Sequence, residues 1–179
     1  MPEAIKVLMI EDNQLIAQNM KDVLEKANAG FQVEWAANLA AGLKHLEQTP
    51  SDVVLLDLML PDSEGFQTFL KTSVLVPSVP IIVMTGVDDE TFAIKAMRHG
   101  AQDYLVKGKI DGPIMVRTIR YAIERKRIEE DLRKARTELE YRVQERTAEL
   151  TDININLQKE IEDRKKAQEE LKNAYEILK

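Results

Sequence analysis

The 179-residue chain holds 25 Lys and Arg against 31 Asp and Glu, a formal net charge of −6, and has no cysteine. Disulfides and thiolate metal sites are therefore excluded, and the lack of a basic domain argues against nucleic acid as the main partner. No run approaches the roughly 18 consecutive apolar residues of a membrane span, and Met1-Pro2-Glu3-Ala4 lacks the basic and apolar regions of a signal peptide, so the composition reads as a cytoplasmic protein without a membrane segment.

In chain order, Ile5 to Ile10 is an apolar run followed directly by two acids, Glu11 and Asp12. From Gln14 to Ala27 the residues Leu15, Ile16, Met20, Val23 and Leu24 recur at helical spacing, and Asn28-Ala29-Gly30 stops that helix. Phe31 to Trp35 alternates as a strand. Asn38 can cap a helix carrying Leu39, Leu43 and Leu46, which ends near Thr49-Pro50. A second apolar run, Val53 to Leu56, ends in Asp57. A loop with Pro61 and Gly65 leads to a short helix marked by Phe66, Phe69 and Leu70.

Pro77 and Pro80 bracket the entry to Ile81-Ile82-Val83-Met84, which reads as a central strand running into Thr85-Gly86. Asp88 to Arg98 suggests a helix closed by His99-Gly100, and Asp103 to Val106 a fifth strand before Lys107. Gly112-Pro113 opens the last helix, at a position where proline's missing N–H costs nothing. Five strands alternating with five helices predict an α/β, flavodoxin-like, doubly wound parallel sheet. In such a sheet Glu11, Asp12 and Asp57 gather at the carboxyl edge. Like charges there raise one another's pKa, so a hard, oxygen-preferring cation such as Mg²⁺ is implied.

These residues resemble the response-regulator receiver domains of two-component signalling over about residues 4 to 123. The resemblance rests on Glu11-Asp12, Asp57, Thr85 and Lys107 at successive strand ends, with Tyr104 just before the lysine. Pro61 and Gly65 also stand four and eight residues beyond Asp57, as they do in that family.

The resemblance implies that Asp57 accepts a phosphoryl group from a sensor histidine kinase or phosphotransfer protein. It implies Mg²⁺ held by Asp12, Asp57, Glu11 directly or through water, and the Met59 backbone carbonyl. Lys107 and Thr85 would contact the phosphoryl group, and Thr85 with Tyr104 would form the switch. Tyr104 also has the plainer reading of an aromatic at the sheet margin. The family usually has a cis-bonded proline after its lysine; Gly108 stands here, which predicts a trans or more mobile loop.

Met84, Met97 and Met115 read as packing, His45 and His99 as helix surface or helix end, and Asp62 and Glu64 as exposed acids rather than ligands. The chain divides into a receiver domain, 1–123, and a helical extension, 124–179, since the 66 residues from Ile114 onward lack both glycine and proline. In that extension Ile128, Leu132, Ala135 and Leu139 form an apolar seam. It shifts register before Val143 as a four-residue stutter would, and runs on through Leu150, Ile153, Leu157, Ile161, Leu171 and Leu178. Arg146 and Arg164 fall at or near core positions.

The seam predicts a coiled coil and a parallel homodimer, against the alternative of a solvated single helix. Leu139 to Leu150 also resembles signalling-helix linkers. No histidine follows His99, so the tail is not a phosphotransfer helix, and no output domain is visible in these residues. Two other function classes compete with a phosphorylated signalling module. One is a dimeric scaffold indifferent to phosphorylation. The other is a Mg²⁺-dependent phosphohydrolase, which commonly uses an Asp-x-Asp pair where Met59 stands here.

Overall fold

The apolar runs become strands because each is flanked by turn residues and is too short to bury a helix face. A computed structural model describes residues 4–27, 30–86, 90–108 and 111–177. Asn28 and Ala29 of the expected helix stop, Asp88 at the expected helix start and Leu178 of the tail seam lie outside the described residues.

Five strands, β1 (Ile5–Ile10), β2 (Phe31–Ala36), β3 (Val53–Asp57), β6 (Ile81–Thr85) and β7 (Asp103–Val106), form one parallel sheet in the order β2-β1-β3-β6-β7. The run expected as central is an interior strand, β6, while β3 occupies the middle. Two further strands, β4 (Met59–Leu60) and β5 (Ser63–Glu64), pair antiparallel as a small hairpin inside the loop beyond Asp57. Its turn is Pro61-Asp62, types suited to the tip of a tight turn.

Side-chain alternation along each strand feeds two cores. Leu8, Ile10, Val54, Leu56, Ile81 and Val83 face α2 (Leu39–Gln48), α3 (Phe66–Leu75) and α4 (Glu90–Arg98). Val7, Met9, Val53, Leu55, Ile82 and Met84 face α1 (Gln14–Lys26) and the first part of α5 (Gly112–Ile177), through Met20, Leu24, Met115 and Ile119. Met84, Met97 and Met115 all pack in these cores. A fully buried Leu, Ile or Met side chain stabilises by about 1.5–3 kcal/mol, so the sheet is held from both sides.

Side chains cap three of the helix starts. Asn13 Oδ1 accepts from Leu15 N and Ile16 N, Asn38 Oδ1 from Ala41 N, and Asp111 Oδ1 from Ile114 N. Leu15 departs from the expected apolar face: it is 76% exposed, because the buried stripe of α1 is Ala17, Met20 and Leu24 and position 15 points away from it. Trp35 departs too. Phe31 and Val33 join the core, but Trp35 sits half exposed on the edge strand.

Along the chain two units separate, Met1–Glu130 and Asp131–Lys179. Within the second, the helix carries local ion pairs, Arg136–Glu140 at 2.8 Å, Arg142–Glu138, Arg146–Glu149 at 2.7 Å and Arg164–Glu160 at 2.8 Å. Leu132, Leu139, Val143, Leu150, Ile153, Leu157, Ile161 and Leu171 are all exposed.

α2 lies close on β1 because Gly42 has no side chain: a Cβ there would stand 2.3 Å from Ile10 Cδ1 and 2.8 Å from its Cγ1. Alanine favours a helix over glycine by roughly 0.5–1 kcal/mol, but overpacking costs about 1–3 kcal/mol. Gly42→Ala is therefore expected to destabilise by about 1 kcal/mol in urea unfolding. With Ile10→Val, which removes Cδ1 but keeps Cγ1, the same change is expected to cost less; strict additivity of the two would refute this contact.

Candidate functional site

Parallel strands in register deliver their last residues to one edge. Ile10 pairs with Leu56, Asp57 with Met84, and Thr85 with Val106, so Glu11, Asp57, Thr85 and Lys107 stand at four successive strand ends. Glu11 is 0%, Asp57 3% and Thr85 2% exposed, whereas Asp12 is open to solvent.

Lys107 joins the acids. Its Nζ lies 2.6 Å from Asp57 Oδ2, which accepts its hydrogen bond, and 2.6 Å from Glu11 Oε2. The Glu11 contact is an ion pair without hydrogen-bond alignment, so Oε2 is a buried oxygen lacking an aligned donor. The other oxygens are better served: Glu11 Oε1 accepts from Asn13 N at 3.2 Å and Asp57 Oδ1 from Met59 N at 3.1 Å.

The Lys107-Gly108 bond is trans, as no cis bond occurs among the described residues, and Gly108 takes φ +82. A left-handed glycine thus turns the chain after β7. The lysine's backbone is fixed independently, its N–H donating to the Thr85 carbonyl at 2.8 Å.

The electrostatics favour a further cation. Burial pushes the Glu11 carboxyl above its ordinary 4.5, the Lys107 ammonium opposes this, and the Asp57 charge adds to it. Burial also works against the Lys107 charge, but Asp57 and Glu11 outweigh it and hold the ammonium above 10.5. Between pH 4.5 and the raised Glu11 value the folded chain binds more protons than the unfolded one, so this group's ionisation costs stability as pH rises.

Carboxylate oxygens of Glu11, Asp12 and Asp57 lie within 4.8 Å of one another, with one lysine among three acids. An all-oxygen acidic cluster with an unaligned buried oxygen suits a small hard divalent cation such as Mg²⁺. His45 faces Glu34 at 3.5 Å and His99 Nδ1 lies 2.8 Å from the Lys95 carbonyl; neither joins a metal cluster among the described residues.

Thr85 Oγ1 donates to the Gly86 carbonyl at 3.0 Å. Tyr104 pairs with Val83 and packs, half buried, on the core beneath α4. Met59 follows the acid by two residues, at the start of the hairpin.

Two contacts were not legible in the sequence. The Trp35 indole N–H donates to the Glu11 carbonyl at 2.7 Å. Asp62, exposed as expected, accepts from Leu39 N at 2.9 Å and Ala40 N at 2.8 Å. Both reach more than 20 residues along the chain, beyond any local pattern.

Residues 7–124 match the response regulator receiver domain family. Protein PilH of Pseudomonas aeruginosa is 33% identical over 116 residues, covering 64% of this chain and 93% of PilH. The transcriptional regulatory protein QseB of Haemophilus influenzae is 33% identical over 103 residues, 58% of this chain and 46% of QseB. The chain spans about half the length, or less, of QseB and other transcriptional regulators it matches. A crystal structure of a receiver domain protein from Clostridium thermocellum superimposes with a TM-score of 0.62 at 32% identity, over 69% of this chain and 98% of the other. Matched over most of its length, and with the acidic cluster and lysine at the strand ends, the chain belongs to the response regulator receiver domain family.

Proposed function

We infer that Asp57 is the phosphoacceptor of a two-component response regulator, served by a sensor histidine kinase or phosphotransfer protein in the cytoplasm. The observation that carries this reading is Lys107 Nζ bridging Asp57 and Glu11 at 2.6 Å each, beside Asp12. A carboxylate oxygen of Asp57 attacks the phosphorus of a phosphohistidine. The O–P bond forms as the P–N bond breaks, and the imidazole nitrogen leaves with the electron pair and takes up a proton. Phosphoryl transfer asks the protein mainly for positioning and charge neutralisation.

Asp12, Asp57, the Met59 carbonyl and Glu11, directly or through water, would hold Mg²⁺, which would supply neutralisation of the phosphoryl and acceptor oxygens. Lys107 is the fixed cation that follows the charge from Asp57 to the phosphoryl group. Thr85, buried at the same edge, exchanges its bond to the Gly86 carbonyl for one to a phosphoryl oxygen. Tyr104 responds through the core it shares with α4. Such a local charge event biases a two-state element.

The tail carries the signal as a parallel dimeric coiled coil formed with a second copy. What supports this is the exposed series from Leu132 to Leu171, since a long helix lacking a packed face is marginal in water. The receiver is taken as 1–123 and the coiled-coil extension as 124–179.

Four outcomes are expected. Intact mass after incubation with Mg²⁺ and phosphoramidate gains one phosphoryl group in the parent and none in Asp57→Ala; no gain in the parent would return the chain to a phosphorylation-independent scaffold. In Mg²⁺-free buffer, Asp12→Asn raises stability by up to about 1 kcal/mol, the repulsion of two unit charges roughly 4 Å apart in water. The same variant loses the rise in melting temperature that Mg²⁺ gives the parent, and an undiminished rise would remove Asp12 from the ligand set. Sedimentation at micromolar concentration gives a dimer for the parent and a monomer for Leu150→Asp/Leu157→Asp, whereas a monomeric parent refutes the coil.

A further inference from the structure

The two walls of the acidic site are loops that the sheet alone does not hold against each other. One carries Glu11 and Asp12 after β1. The other runs from Leu58 through the hairpin to Glu64. The β2–α2 junction, residues 35–40, bonds to both.

It grips the backbone of Glu11 on each side: Glu11 N donates to the Ala36 carbonyl at 3.0 Å, and the Glu11 carbonyl accepts from Trp35 Nε1 at 2.7 Å. From the other end of the junction, Leu39 N and Ala40 N donate to the two oxygens of Asp62 at the hairpin tip, at 2.9 and 2.8 Å. Burial opposes the Asp62 charge, but these two N–H groups hold its carboxyl below the ordinary 3.8. The hairpin's own base is tied to the acceptor through Met59 N and Asp57 Oδ1 at 3.1 Å. With Lys107 between Asp57 and Glu11, the bonds close a ring around the site.

We propose that Trp35 and Asp62 are positioning residues for cation binding at Asp57, bracing the Glu11–Asp12 loop and the Met59 hairpin at a fixed spacing through the β2–α2 junction. The proposal rests on the reading of Asp57 as phosphoacceptor and of the acids around it as its Mg²⁺ site. Neither residue touches the cation. Each fixes a segment that supplies a ligand, and removing such supports weakens metal binding about 10–100-fold.

The test is a Mg²⁺ titration followed by the amide NMR shifts of Asp12 and Met59, with phosphoramidate uptake measured against Mg²⁺ concentration on the same samples. Trp35→Phe, which keeps the ring and loses the donor, and Asp62→Ala are each expected to raise the Mg²⁺ Kd about tenfold. Uptake at saturating Mg²⁺ stays within about twofold of the parent, the pattern of a binding defect without a chemical one. Asp62→Asn, which keeps one acceptor, falls between and serves in its place should Asp62→Ala not fold.

Asn38→Ala is the control. It removes the cap on Ala41 N from the same helix turn but touches neither loop, so its Kd stays that of the parent. A parent-like Kd in both Trp35→Phe and Asp62→Ala, or an equal loss in Asn38→Ala, overturns the proposal. If the parent takes up no phosphoryl group while these variants still lose Mg²⁺ affinity, the acceptor reading falls and the brace stands.

Discussion

One ammonium between two buried carboxylates sets the terms for the whole domain. Lys107 Nζ meets Asp57 and Glu11 at equal distance, in a place where an uncompensated charge costs several kcal/mol. The pair is not a stabilising device in itself. Asp12 leaves the cluster one negative charge further from balance, while burial and the neighbouring Asp57 charge raise the Glu11 pKa. A fold that keeps such a cluster does so for what it binds.

The sheet makes the cluster unavoidable. β3 is buried along its whole length in the middle of the sheet, with β1 on one side and β6 on the other, so its last residue cannot turn to solvent. That geometry places Asp57, and its bonds from Lys107 Nζ and Met59 N fix the carboxylate. Thr85 inherits the same position from β6, and its carbonyl in turn fixes the backbone of Lys107. Of the three acids only Asp12, one residue past a buried one, is open to water, which leaves the cluster accessible on one side.

The strands, the alternation of strand and helix and the strand-end acids were legible because each depends on local order: an apolar run, a turn residue, a charge at the end. What the sequence did not show depends on separation. Trp35 ends an alternating run that reads as a strand, and nothing local shows that its indole serves Glu11, 24 residues earlier. Asp62 reads as a solvated loop acid, and exposed it is, but α2 uses it as a cap from 23 residues away. The hairpin at 59–64 is too short for a strand pattern, and Pro61-Asp62 was its only signal. Gly108 was legible as a departure, but its left-handed turn, which leaves Lys107 in place without a cis bond, was not.

The helix beyond the domain poses the opposite problem, since none of its described side chains is buried. Four local ion pairs among its described residues contribute about 0.2–0.5 kcal/mol each, and exposed pairs are further screened by salt. One leucine taken from water contributes about 1.5–3 kcal/mol, as much as all four pairs together. The charges therefore keep the helix soluble and helical, while the series from Leu132 to Leu171 decides whether it has a partner. Arg146 and Arg164, exposed and paired locally to Glu149 and Glu160, interrupt that series where a continuous apolar stripe would be strongest. In the dimer proposed above, a seam weakened at set points would be easier to shift than a uniform one.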